Sequence, residues 1–142
     1  MDLAALNRRA WDRQAESDGP WSRPVGSEII EHARNGRWAI RLTPNRSVPE
    51  DWFPEITNLA VLCLAASGGQ QAPVLAAAGA RVTVLDNSSA QLALDRQVAE
   101  RERLYLQLDQ GDMRDLSRYR KGSFDLIVHP VSNCFVDRVD VV

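Results

Sequence analysis

Lysine is almost absent from this 142-residue chain: Lys121 is the only one, and the rest of the positive charge is arginine. A formal net charge of −2 with no basic stripe argues against a nucleic-acid partner, because binding a phosphate backbone needs clustered Lys and Arg. No apolar run is long enough to span a bilayer and no signal-peptide pattern opens the sequence, so no membrane partner and a cytoplasmic location are expected. Cysteine is scarce as well. Cys63 and Cys134 make neither a disulfide framework nor a metal-ligand spacing, so no metal site is expected. Between Leu59 and Ala80 there is no Lys, Arg, Asp or Glu, and no G-K-[ST] follows the glycines. The cation and magnesium ligand of a phosphate loop are therefore missing, which excludes an NTPase of that type. The dinucleotide fingerprint G-x-G-x-x-G is also unmet, since Gly68 and Gly69 are adjacent and Ala72 holds the final position.

What is present is a strand, a glycine turn, a helix, a second strand and an acid, in that order. Leu59 to Leu64 is a continuous apolar run of the kind found where both faces of a sheet are covered. Ala65-Ala66-Ser67-Gly68-Gly69 interrupts it. Gln70 to Ala78 is expected to be helical, with Pro73 in the first turn, where its missing N–H has no partner to lose, and Gly79 closing the helix. Arg81 to Leu85 is rich in β-branched residues and reads as the second, parallel strand of a βαβ unit. Ligands of open parallel sheets bind beyond the carboxyl ends of the strands, so the turn and Asp86 should face one another there. Backbone N–H groups at a helix start suit an anionic group, and Asp86 can accept hydrogen bonds from ribose hydroxyls. The pattern predicts a nucleoside-type cofactor site.

The remaining elements follow from periodicity and capping. Asp2 is expected to cap a helix to about Glu16, with a stripe of Leu3, Leu6, Ala10 and Trp11. A second helix is expected from Ser27 to Arg34, carrying Ile29, Ile30 and Ala33, and a short strand over Trp38, Ile40 and Leu42. Asn87-Ser88-Ser89 provides an N-cap for a helix from Ala90 to Arg103 whose Leu92, Val98 and Ala99 face inward. Leu104, Leu106 and Leu108 suit an edge strand, and Phe124 to Val128 a fourth strand stopped by His129-Pro130. Asp112 can be a solvated turn acid or the cap of a short helix from Arg114 to Arg118.

The runs VLCLAASGGQQ, VTVLDNS, QGDMRDL and FDLIVHPVSN together resemble the ordered motifs of class I S-adenosylmethionine-dependent methyltransferases. The resemblance covers roughly Leu59 to Phe135. It implies an α/β fold with a Rossmann-like, doubly wound, mostly parallel sheet, in which residues 59–142 form the cofactor-binding core and residues 1–58 an N-terminal helical cap or lid. It further implies S-adenosyl-L-methionine as cofactor, with the turn Ala65, Ala66, Ser67, Gly68 and Gly69 holding its amino-acid part. Asp86, with Asn87 beside it, would meet the ribose, Asp112 and Met113 the adenine edge, and His129 to Asn133 the methyl-transfer end. Ala65 and Ser67 stand where most members have glycine. Methyl transfer is mainly a matter of alignment in a dry pocket, and for a hydroxyl or amine acceptor His129 is the candidate base.

Only four of about seven strands of such a sheet can be found before Val142. The fourth strand is therefore expected to keep a bare edge, which a second chain or a homodimer could complete. VDRVDVV, Val136 to Val142, reads as β-prone. The leading expectation is a methyltransferase, or its cofactor-binding half, acting on a small-molecule acceptor. The alternatives are a non-catalytic interaction module pairing through the exposed edge, and an NAD-dependent oxidoreductase half-domain.

Overall fold

The computed structural model describes residues 2–142. Its centre is a parallel sheet of four strands: β3 (Ala60–Leu64), β4 (Arg81–Asp86), β5 (Leu106–Gln110) and β6 (Leu126–Val128), in the spatial order β5-β4-β3-β6. An antiparallel ribbon of β1 (Arg41–Thr43) and β2 (Arg46–Ser47) stands apart from it. Helices α1 (Leu3–Glu16), α2 (Ser27–Arg34), α3 (Gln71–Ala77) and α4 (Ser89–Glu102) complete the regular structure. This is the Rossmann-like α/β arrangement that the motif order implied. The chain runs outward from β3 through β4 to β5, then crosses back to place β6 on the other side of β3.

The alternation of side chains along β3 and β4 divides the core in two. Val61, Cys63, Val82 and Val84 face α3 and α4 and pack with Ala72, Leu75 and Leu92. Leu62, Leu64 and Leu85 point the other way. Among the described residues, that opposite face carries no helix. It is covered by the turns after β5, through Met113, Leu116, Tyr119 and Phe124, and by Val136 and Val142. The β-prone segment Val136 to Val142 forms no strand: it bends through a 3-10 turn at Val139–Val141 and lies against this cluster. The proposed helix from Arg114 to Arg118 is likewise a pair of turns.

Other elements differ only in extent. Trp38 and Ile40 precede β1 instead of lying in it, because Ile40 is drawn into the main core with Ile56. In α2, Ile30 and Ala33 are buried while Ile29 stays exposed. Asp2 caps α1 by accepting from Ala5 N–H, and Ser88 caps α4 by accepting from Gln91 N–H. Asp125 clamps β6 to β3, its N–H donating to the Ala60 carbonyl and its carboxylate accepting from Ala60 N–H, both at 2.8 Å. β6 pairs with β3 alone and leaves Ile127 52% exposed, the bare edge that the strand count required.

Candidate functional site

The site is built on the turn that follows β3. Leu64 ends the strand and the backbone enters the left-handed region three times in five residues, at Ala65 (φ 45°), Ser67 (φ 62°) and Gly69 (φ 73°). Only the last of these is glycine. Gly68 is needed for a different reason: a Cβ there would lie 2.2 Å from the Gln91 carbonyl oxygen, so the turn sits flush on the first turn of α4. The contact is fixed by two buried side chains of that helix. Gly68 N–H donates to Gln91 Oε1 at 2.7 Å, and Gly69 N–H donates to Asp95 Oδ1 at 2.8 Å.

Gln91 also reaches the N-terminal segment, donating to the Trp11 carbonyl at 3.2 Å and to Ser22 Oγ at 2.6 Å. The Gly69 carbonyl accepts from Val25 N–H, and Gln70 donates to the carbonyls of Pro20 and Arg23. α1 is held at the carboxyl end of β4 in the same way. Asp12 accepts from Ser88 Oγ at 2.5 Å and from Ala90 N–H at 3.3 Å, while Asn87 Nδ2 donates to the Ala4 carbonyl at 2.7 Å. The segment before β3 is thus stitched to the turn and to the start of α4 by polar contacts.

Beneath α1 lies a cavity that gathers Ala65, Ser67, Asp86, Asn87, Asp112 and Met113 into one lining. Its volume is about 70 Å³. Asp86 borders this cavity and uses Oδ1 to accept from Ser88 N–H at 2.8 Å, while Oδ2 has no side-chain partner among the described residues. Burial, reinforced by the nearby Asp12 charge and opposed by the Ser88 N–H, raises the Asp86 pKa to about 6. Asp112 is gripped by Arg114 through Nε and Nη2, and that guanidinium holds it below the ordinary carboxylate range. Arg114 in turn binds Asp137 at 2.9 Å and pins the final segment across the cavity.

Ala66, Gly68, Gly69 and His129 lie outside this lining. The N–H groups of the two glycines face α4, already engaged by Gln91 and Asp95. His129 follows β6 with its Nε2 buried and unpartnered among the described residues, and burial lowers its pKa. Three residues central to this geometry escaped the sequence reading: Asp12, Gln91 and Asp95. Their one visible signal was Gln91 and Asp95 at i, i+4 beside the inward-facing Leu92, Val98 and Ala99: two polar groups on a face that periodicity assigns to the core.

A second cavity adjoins the first and shares Trp11, Ala65, Ser67 and Phe135 with it. Trp11 meets Phe135 edge to face at 5.2 Å across the boundary, and Asn7 Nδ2 donates to the Phe135 carbonyl. Ser132, from the segment after β6, donates to the Ala65 carbonyl at 2.8 Å and ties that segment to the turn.

A parallel sheet with a small-residue turn after its first strand and an acid closing its second defines a Rossmann-like unit. Residues 62–142 match the family model described as a methyltransferase domain. The chain belongs to that family, among the class I S-adenosylmethionine-dependent methyltransferases. It is 55% identical over 137 residues to the uncharacterized methyltransferase YbaJ of Bacillus subtilis (strain 168), matching 96% of this chain and 54% of that protein. The chain therefore spans about half the length of the curated relative it matches. Two solved structures share the fold. One, from Methanococcus maripaludis and assigned as an S-adenosyl-L-methionine-dependent methyltransferase, has a TM-score of 0.58 at 18% identity over 99% of this chain and 56% of its own. The other, solved in work on the conversion of a disulfide bond into a thioacetal group during echinomycin biosynthesis, has a TM-score of 0.55 at 20% identity over 86% of this chain and 47% of its own.

Proposed function

We propose that this chain binds S-adenosyl-L-methionine in the cavity beneath α1 and presents its methyl group to a small-molecule acceptor, with residues 59–142 as the cofactor-binding core and the segment up to residue 58 as its cap. The observation that carries this reading is the single lining that unites Ala65, Ser67, Asp86, Asn87, Asp112 and Met113. The donor set fits the cofactor. Asp86 has a free carboxylate oxygen for ribose hydroxyls, and Asp112 and Met113 border the same space for an adenine. The positive-φ turn at Ala65 and Ser67 brings backbone close to the amino-acid part.

The volume adds a condition. A cavity of about 70 Å³ is smaller than the ~150 Å³ that a benzene ring occupies in an apolar core, so α1 must lift to admit a nucleoside. No residue of α1 is fully buried, and it is attached by hydrogen bonds to Asn87, Ser88, Ala90 and Gln91 and by the contact of Trp11 with Phe135, so lifting it exposes no fully buried side chain of its own. When bound, the cofactor supplies an activated methyl sulfonium. The protein's part is to align it, exclude water under α1, and receive the acceptor's proton. His129, kept in its neutral form by burial, is the proposed base.

Calorimetric titration with S-adenosylhomocysteine tests the cofactor assignment. Asp86→Ala removes two charge-assisted hydrogen bonds of ~1.5 kcal/mol or more each, so binding should weaken roughly a hundredfold. A folded wild-type sample that evolves no heat would refute it. A second reading, pairing with another chain, rests on the bare edge of β6 and the exposed Ile127. Concentration-dependent sedimentation tests that one.

A further inference from the structure

The second cavity has a chemistry of its own. Its volume is about 170 Å³, close to the ~150 Å³ that accommodates a single benzene ring, and its walls are mainly aromatic and aliphatic, with Trp11, Trp21 and Phe135 among them. Four polar side chains interrupt this surface, Ser67, Ser132, Gln71 and Arg41, and the last two set its chemistry. Gln71, the first residue of α3, is 8% exposed, and its amide makes no hydrogen bond among the described residues, with Oε1 fully buried. A buried amide without a partner is costly unless something arrives to satisfy it. Arg41, at the start of β1, is the one cationic side chain in the lining, and no carboxylate lies there to neutralise it. Its guanidinium donates only to the Pro44 carbonyl, at 2.9 Å.

We infer that this cavity is the acceptor pocket and that it takes a small aromatic carboxylic acid bearing a ring hydroxyl, a conclusion that rests on the cofactor occupying the adjoining cavity. The ring lies against Trp11 and Trp21, the carboxylate meets Arg41, and the hydroxyl, which both donates and accepts, satisfies the Gln71 amide. The shared wall of Ala65 and Ser67 puts the hydroxyl side of the pocket next to the donor. On transfer, the hydroxyl oxygen bonds to the methyl carbon as the carbon–sulfur bond breaks. The electron pair stays on sulfur, which becomes a neutral thioether, and the phenolic proton passes to water.

Calorimetry on the full chain separates the claims. Wild type is titrated with 4-hydroxybenzoate, phenol and benzoate, each with S-adenosylhomocysteine present, and with S-adenosylhomocysteine alone. 4-Hydroxybenzoate should bind roughly tenfold more tightly than either analogue, and Arg41→Gln, on an exposed residue outside the core, should erase its advantage over phenol while leaving phenol unchanged. Gln71→Leu should erase its advantage over benzoate. Equal affinity for 4-hydroxybenzoate and phenol, or an Arg41→Gln variant that binds both as wild type does, overturns the inference. So does S-adenosylhomocysteine binding without any aromatic acid, an outcome that leaves the cofactor assignment standing. If S-adenosylhomocysteine itself fails to bind, the cofactor reading falls and the acceptor role falls with it.

Discussion

Adding one methyl group at Gly68 tests how the cofactor turn is held. The new carbon would meet the Gln91 carbonyl oxygen at 2.2 Å, with the Gln91 carbonyl carbon and Cα both at 2.8 Å. These are backbone atoms of a helix, so no side chain can swing away, and the turn must retreat from α4 by about 1 Å to restore ordinary contact distances. That retreat stretches the bonds from Gly68 to Gln91 and from Gly69 to Asp95, which now stand at 2.7 and 2.8 Å. Overpacking of this kind costs ~1–3 kcal/mol, and leaving a buried acceptor unsatisfied adds ~1–3 kcal/mol, so Gly68→Ala should lose about 2–6 kcal/mol. With a urea slope of about 2 kcal/mol per M, the unfolding midpoint drops by roughly 1–3 M at unchanged slope. Gly26→Ala, where nothing lies within 4 Å of the added carbon, is the control and should change stability by less than about 1 kcal/mol. A Gly68→Ala midpoint matching that of the control would show that the turn is not pinned to α4.

Four further perturbations have defined outcomes. Burial, with the Asp86 charge adding to it, raises the Asp95 pKa to about 8, far above an unfolded carboxylate. The folded state thus holds the proton more tightly, and this contribution to stability is complete at acid pH and lost as pH climbs to about 8. Asp95→Asn, which keeps an oxygen for Gly69 N–H, should therefore gain stability over wild type progressively from about pH 4 to 8 and hold a constant gain above, as measured by urea unfolding across pH. A pH-independent difference would contradict it. Ser67→Gly relieves a left-handed residue at ~1–2 kcal/mol but gives the unfolded chain more freedom at ~0.4–1 kcal/mol, for a net gain of about 0–1.5 kcal/mol in thermal unfolding. Asp12→Ala removes the acceptor for Ser88 Oγ and Ala90 N–H, so amide exchange should accelerate across α1 but not α2. His129→Gln should lower turnover while leaving S-adenosylhomocysteine affinity within about twofold, since the ring lies outside the first cavity.

The parallel core was readable because its signals are local. An uncharged run from Leu59, a proline confined to a first turn, a glycine stop and Asp86 each depend on a few neighbouring residues, and β3, α3 and β4 formed within a residue of the expected bounds. The carboxyl-rim positions of Asp86, Asn87, Asp112 and Met113 follow from strand direction alone. What the sequence hid depends on contacts across the chain. Nothing near Gly68 indicates that its N–H will be taken by a glutamine 23 positions later, and nothing near Asp12 indicates a partner 76 positions away. The final segment misled for a related reason. Its valine alternation is what a strand needs, but Val136 and Val142 instead cover the sheet face with Met113.

The polar stitching of α1 to the start of α4 also imposes an order on biosynthesis. Asn87, Ser88 and Gln91, which hold α1 through contacts 76 to 83 positions apart, leave the ribosome long after it. At ~5–20 residues per second, that delay is roughly 4–16 s. An isolated helix of 14 residues is marginal in water, so α1 spends the interval as fluctuating chain. A strongly apolar helix would have that long to find a wrong partner. Apart from the Trp11 ring, α1 binds its eventual neighbours through carboxylate, amide and carbonyl groups, and so has little to offer anything that emerges before them.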